Sequence, residues 1–324
     1  MSNKTLTYGY DWSDSAPYPT NHSGGQLAQF FVAILGTLSN FILLLAIVLD
    51  KKTRRSQSGL FIIGLGITDF CWCLVLAITV SQCIGEYTIG IGGCIFQAFC
   101  THFFASTSIL LLALVAGERY YKIKRGKTML IKHSKYGIVI MYLIGFVYAL
   151  FPFFGFGHYD LQPSGNFCWG RGGFGILADD LYCALSGVVI LTSYVGLPVA
   201  YSRIFGHIRN TFSKTTGSNS NVAQNAEVAI MKQFIIITGF FLVCWTMVLV
   251  KFFTEAAQMP ILVGWYDNIG GNMATCSSAF NPLIYGIMNK RIRGLMLGLF
   301  GMGGKTNGKV GVAKGGTVAS DESQ

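Results

Sequence analysis

Asn281-Pro282-Leu283-Ile284-Tyr285-Gly286-Ile287-Met288-Asn289-Lys290-Arg291-Ile292-Arg293-Gly294-Leu295-Met296-Leu297-Gly298-Leu299-Phe300 joins the end of an apolar helix to a basic amphipathic one. Pro282 removes one backbone hydrogen bond and kinks its helix. In lipid, neighbouring polar groups and water satisfy the freed carbonyl. Tyr285 therefore follows a hinge. Beyond Met288 the pattern changes. Ile292, Leu295, Met296, Leu299 and Phe300 fall on one helical face, with Lys290, Arg291 and Arg293 beside it. Such a segment lies in a membrane interface. The stretch thus reads as a chain leaving a bilayer and settling on its inner surface.

Working outward, a helix needs about 20 apolar residues to cross the hydrocarbon core. Seven windows qualify: Leu27 to Leu49, Gly59 to Ile84, Cys94 to Tyr121, Tyr136 to Phe154, Leu181 to Phe205, Glu227 to Phe253, and Ile261 to Met288. The last is the least apolar, and its Asn272, Ser277, Ser278 and Asn281 should face the bundle interior. Composition agrees. The 324 residues are 52% apolar and 12% charged, against about 25% charged in soluble domains. This disfavours a soluble enzyme and a disordered chain. The fold expected is an all-α seven-transmembrane helix bundle with a short eighth helix. Its parts are an outer tail (1–26), a membrane domain (27–300) and a disordered inner tail (301–324).

Lysine and arginine set the orientation. With the N-terminus outside, 21 of the 24 lie on the inner side, leaving Lys4, Arg171 and Lys251 outward. This is a strong positive-inside bias. The net charge of +10 thus reads as topology and as affinity for anionic lipid, not as nucleic-acid binding. No cleavable signal peptide is recognisable. Two glycosylation sequons, at Asn3 and Asn21, fall in the outer tail.

Most of the nine cysteines lie within spans and read as small apolar residues. Cys94 and Cys168 instead face the outer, oxidising side, where a disulfide would persist. A bridge between them would pin the loop over the bundle mouth, and Cys83 is a competing partner. No metal-ligand spacing occurs.

Asp69 sits in mid-span, where a lone carboxylate must be protonated, paired or bound to a cation. Asn40, Ser108, Ser277, Ser278 and Asn281 lie at comparable depth. Together they form either a small hydrated cation or proton site or a hydrogen-bonded packing network. Glu118-Arg119-Tyr120 closes the third span at the inner surface, and Glu227 opens the sixth. An Arg119–Glu227 pair would hold those inner ends together, and its rupture would open an inner cleft.

These motifs, in this order, resemble the rhodopsin-like family of G protein-coupled receptors: Asn40, Asp69, Cys94, Glu118-Arg119-Tyr120, Cys168, Cys244-Trp245, and Asn281-Pro282-Leu283-Ile284-Tyr285 with its eighth helix. The resemblance covers Leu27 to Phe300. Within the family the chain looks opsin-like, notably in Pro152 to Tyr159 with Pro163, Gly165 and Cys168, and in Tyr285 to Phe300. It implies a non-enzymatic, multi-pass plasma-membrane receptor. Its partners would be a heterotrimeric G protein, arrestin, membrane lipid and a small ligand. Glu118, Arg119, Tyr120, Glu227, Asn281, Pro282 and Tyr285 would form the switch. Gln97, Thr101, His102, Ser106, Trp245, Leu249 and Thr275 would line the ligand pocket.

The departures are specific. The position of the opsin retinal lysine, six residues before Asn281, is Thr275, which has no amine for a Schiff base. The third-span counterion position is the uncharged Gln97. The chain looks like the opsin-like receptors that lack that lysine, placozoan ones among them. Met247 replaces the sixth-span proline, Pro198 lies later than usual in the fifth span, and the fourth lacks the usual tryptophan. Lys251 leaves two readings open. It snorkels outward and pairs with Glu255 or Asp267, or it is a relocated retinal-linking amine with Glu255 as counterion. A light sensor with non-covalent or relocated retinal is therefore the second functional reading. A transporter is the third, although the proline-bearing spans do not form two matching halves.

Overall fold

A computed structural model describes residues 24–84, 90–125, 129–161, 168–172, 175–212, 218–259 and 264–302. The helices are α1 (Gly24–Leu49), α2 (Lys51–Arg54), α3 (Gln57–Ile84), α4 (Gly90–Arg125), α5 (Ile131–Leu150), α6 (Leu177–Phe212), α7 (Ser218–Ala256), α8 (Gly264–Ala279), α9 (Asn281–Met288) and α10 (Lys290–Leu299). A short 3₁₀ turn, Phe151–Phe154, and a hairpin of β1 (Tyr159–Leu161) and β2 (Cys168–Gly170) lie between α5 and α6. Among the described residues, α1, α3, α4, α5, α6 and α7 are long and apolar enough to cross a membrane. The seventh span is α8 plus α9. Its weaker apolarity follows from Asp267, Asn268, Asn272, Ser277 and Ser278. All five are buried or half-buried, which is what lipid requires of polar groups. The result is the seven-helix membrane bundle that the hydropathy pattern anticipates.

The spans are longer than the apolar windows at both ends of α4, α6 and α7. Helices extend past the hydrocarbon because propensity and packing, rather than hydropathy, end them. Around the bundle, α1 packs on α3 and α8, α4 on α3, α5 and α6, and α7 on α6 and α8. Gly36 shows how close the approach is. A Cβ there would lie 2.5 Å from Cys73 Sγ and 3.0 Å from Ala279 Cβ, so α1, α3 and α8 meet only because that position is bare. Leu38, Val139, Leu143, Val195, Val243 and Ile287 point outward as an apolar lipid-facing belt.

Asn281 and Pro282 open α9, and Pro282 occupies the first helical turn, where its missing N–H is least costly. Asn289 turns the chain again and caps α10, its side chain accepting from the amides of Arg291 and Ile292. Ile292 is buried while Lys290 and Arg293 are exposed, which agrees with an amphipathic eighth helix. Asn3, Asn21, the loop residues Pro163 and Gly165, and the tail from residue 303 lie outside the described residues. The side chains of Cys83 and Glu227 do too.

Candidate functional site

At the hairpin end, α4 and β2 are joined by a Cys94–Cys168 disulfide with Cα atoms 5.3 Å apart. The strands pair antiparallel, Asp160 opposite Trp169 and Leu161 opposite Cys168. All three residues of β2 are buried, so the strand caps the space between the helices. Trp169 enters the bundle. Its ring centroid lies 5.2 Å from that of His102, 5.8 Å from Phe252 and 6.3 Å from Trp245.

The residues expected to line a ligand pocket divide into two groups. His102, Ser106 and Trp245 border a common cavity of about 20 Å³, together with Tyr148, Trp169, Ser186 and Phe252. Gln97, Thr101, Leu249 and Thr275 do not border it. Gln97 is a structural clamp: its Oε1 accepts the Cys168 amide at 2.9 Å and its Nε2 donates to Thr79 Oγ1 at 2.8 Å. The Thr101 and Thr275 hydroxyls donate to the carbonyls of Gln97 and Gly271 within their own helices. Leu249 is half-buried against the apolar core. Both threonines can hydrogen-bond one turn back, which removes them as ligand donors.

Trp245 is fully buried, 5.4 Å from Phe241 and 5.8 Å from Trp72 between ring centroids. Its Nε1 donates to Ser277 Oγ at 3.1 Å. It therefore links the cavity floor to α8. Deeper, Asp69 accepts from Ser278 Oγ at 2.6 Å and from Asn281 Nδ2 at 2.8 Å. Asn40 Nδ2 donates to the carbonyls of Gly36 and Ser278. Asn40, Asp69, Ser278 and Asn281 thus form one cluster, while Ser277 belongs to the Trp245 contact. Ser108 is buried on α4. No group of three or more His, Cys, Asp or Glu side chains with metal-holding geometry occurs among the described residues.

At the opposite end Arg119 is buried, with its Nε 3.0 Å from Glu118 Oε2. Its guanidinium donates to Ser58 Oγ at 2.9 Å and lies 5.9 Å from the Phe234 ring. Phe234 meets Tyr285 edge-on at 6.4 Å. Tyr120 is half-buried, and its hydroxyl accepts from Lys124. Arg119 is thus tied to α3 and its own helix. The expected partner Glu227 falls on side chains outside the described residues.

Lys251 reaches Glu255 one turn further along α7 and Asp267 in the first turn of α8. It is buried, with Nζ 2.5 Å from Asp267 Oδ1 and 3.5 Å from Glu255 Oε1. The expected pairing with Glu255 or Asp267 is present with both carboxylates, and the ammonium is buried between them. Lys251 and Asp267 border a second cavity of about 20 Å³ beside Trp169, Tyr266 and Gly271. Each cavity has the volume of a water site, far below the about 300 Å³ at which ligand pockets begin. Thr275 offers a hydroxyl already bonded to a backbone carbonyl. It has no amine with which an aldehyde could form a Schiff base.

Sequence reasoning missed Trp72, Trp169, Tyr148 and Ser186. Trp169 carried a signal, because it adjoins a cysteine pinned to α4. Tyr148 and Ser186 carried a fainter one, as polar residues deep in apolar spans.

The family profile "7 transmembrane receptor (rhodopsin family)" matches residues 39–285. The chain belongs to that family, a class of membrane receptors without enzymatic activity. It is 27% identical over 282 residues to melanopsin-A of Danio rerio, covering 81% of this chain and 47% of that protein. To parapinopsin of Ictalurus punctatus it is 26% identical over 273 residues, covering 80% and 76%. To the visual pigment-like receptor peropsin of Homo sapiens it is 24% identical over 298 residues, covering 87% and 85%. The chain thus spans about half the length of the melanopsin. The crystal structure of squid rhodopsin superposes with a TM-score of 0.80 at 20% identity, covering 93% of this chain and 91% of that one, and shares the fold.

Proposed function

We propose that the chain is a plasma-membrane receptor with its N-terminus outside, which converts binding of a small ligand in the hairpin half into activation of a heterotrimeric G protein. The observation that carries this reading is the connected path through the bundle. Trp245 on the cavity floor bonds Ser277 on α8, Asp69 bonds Ser278 and Asn281 at the next level, and Tyr285 follows Pro282 to meet Phe234, whose ring faces Arg119. A ligand that displaces Trp245 bears on α8 and the proline joint, which is the discrete two-state element that coupling needs. Arg119 and Tyr285 would then form the G protein face, and arrestin would compete for the same end. Thr275, which has no amine, supports a diffusible ligand rather than a chromophore linked there.

Guanine-nucleotide exchange on purified G proteins, with the receptor in nanodiscs, tests the reading. Wild type should accelerate exchange and Arg119→Gln should abolish the acceleration. Acceleration that survives Arg119→Gln would overturn it.

One observation favours light sensing as a second reading. Lys251 is a buried amine beside Trp169 with two carboxylates at hand. Incubation with a cis-retinal isomer followed by borohydride reduction should then fix a chromophore on Lys251. Absence of a visible band would retire this reading.

A further inference from the structure

A lipid-facing groove of about 440 Å³ lies between α5 and α6, floored by α4. Its walls are Leu110, Ile140, Leu143, Ile144, Val147 and Leu185, and it is almost wholly apolar. Three further residues, Ser106, Tyr148 and Val189, border both this groove and the inner cavity at His102. They form a thin partition between the bilayer and the interior.

Hydrogen accounting on the inner side of that partition is one-sided. His102 Nδ1 lies 3.0 Å from the Ala98 carbonyl. A carbonyl only accepts, so Nδ1 carries the proton and Nε2 presents a lone pair. His102 is 97% buried, and Nε2 has no hydrogen-bond partner. The Ser106 hydroxyl donates to the His102 carbonyl at 2.7 Å, and the Ser186 hydroxyl donates to the Tyr182 carbonyl at 2.8 Å. Tyr148 hydrogen-bonds Ser186 Oγ, and with the serine proton committed the phenol is the donor. The Ser106, Ser186 and Tyr148 hydroxyls therefore have their hydrogens in use, and with His102 Nε2 they offer only lone pairs.

The unpartnered lone pair of His102 Nε2 among these acceptors calls for a donor. No acidic residue borders this cavity, so a cationic donor would be left without a counter-charge in low dielectric. The remaining chemistry is a neutral hydroxyl, and the cavity is about one hydroxyl or water in size. We infer that this face is a binding site for an amphipathic lipid alcohol, taken up sideways from the bilayer, with its apolar body in the α5–α6 groove and its hydroxyl donating to His102 Nε2. The inference deepens the ligand-pocket reading above and rests on it. It names a ligand class, a route and an anchor.

The test reads binding without a G protein, so a receptor that failed to drive nucleotide exchange would still report this site. Receptor in phosphatidylcholine nanodiscs is photolabelled with a diazirine-bearing oleyl alcohol. Unlabelled oleyl alcohol and its methyl ether compete. The label should map to α5 and α6 peptides around Leu143, Val147 and Leu185. The alcohol should compete about tenfold better than the ether, which leaves the acceptor unsatisfied. His102→Leu should erase that preference while groove labelling persists. Val189→Phe, which narrows the passage without altering His102, should do the same and guards against a folding defect in the first variant. Leu143→Trp, on the exposed rim, should lower labelling severalfold. A diazirine-bearing cholesterol run in parallel distinguishes a sterol from a chain alcohol as the preferred source. Equal competition by alcohol and ether in wild type would overturn the inference, because the cavity would then hold water alone. So would labelling spread evenly over all lipid-facing helices, which is bulk lipid contact.

Discussion

Gln97 accepts the backbone amide of Cys168 at 2.9 Å while donating to Thr79 at 2.8 Å, so a single side chain ties the hairpin to both α3 and α4. The Cys94–Cys168 bridge fixes the same strand from one side only. The amide sets its rotation, and thereby the entry of Trp169 into the bundle.

Gln97→Leu should therefore lower stability by about 1–3 kcal/mol, because the Cys168 amide loses a buried acceptor. Gln97→Glu should not rescue it. The Thr79 hydroxyl already donates to the Val75 carbonyl at 2.9 Å, so an ionised glutamate would set lone pairs against lone pairs. Thermal unfolding in detergent with the disulfide intact gives the measurement. A wild-type midpoint for Gln97→Glu would contradict the donor assignment.

The sequence displays what hydropathy and backbone chemistry encode. Six spans are legible in runs such as Phe41 to Leu49, and the seventh in Asn281-Pro282 with its flanking polar residues. Cys94 stands out by its place at a span end and Cys168 by its place in an outer loop. Side-chain direction is less legible, because a polar residue near a pocket serves a ligand or its own scaffold with equal ease. Gln97, Thr101 and Thr275 have scaffold partners, and Lys251 is buried because Glu255 and Asp267 converge on it from two helices. Trp169 and Tyr148 look like ordinary aromatic residues until the hairpin and α5 are placed.

Lys251 neutralises one of two buried carboxylates, so its removal leaves both without a cation. Lys251→Met should cost about 3–5 kcal/mol, the range for breaking a buried ion pair from one side. Adding Asp267→Asn should return part of that loss, since the mutual repulsion with Glu255 then falls. Unfolding midpoints of the two variants in the same lipid decide it. A double variant less stable than the single one would mean that Asp267 has a role apart from the ammonium.

Asp69 accepts from Ser278 and Asn281 with separate oxygens. Asp69→Asn turns one acceptor into a donor facing a donor, and should reduce nucleotide exchange at least severalfold. The reciprocal exchange, Asp69→Asn with Asn281→Asp, restores a donor opposite an acceptor and keeps an oxygen for Ser278. It should recover most of the activity. Failure of the pair to recover, in membranes where both variants insert equally, would argue that the charge must reside on α3, as a cation site requires.

Asp50 joins the end of α1 to α10. Its Oδ2 accepts from Arg291 at 2.5 Å and from the Thr53 amide at 2.8 Å, and Arg291 Nε donates to Thr53 Oγ1 at 2.8 Å. Burial raises the Asp50 pKa, but the bonds from Arg291 and Thr53 outweigh it and lower the value to about 2. An unfolded aspartate titrates near about 3.9. The depressed value means that the contact contributes fully above that point and is lost as pH falls through about 2. A nitroxide on Leu297→Cys should therefore report a docked α10, with little change, from neutral pH down to about 4. It should gain mobility as the pH falls further. With Asp50→Asn the label should be mobile at every pH, and its acid step should vanish. Arg291→Lys should lie between the two, because an ammonium keeps the charge but cannot hold Asp50 and Thr53 together with one planar fork. A wild-type release centred well above about 4 would show that another group controls α10 docking.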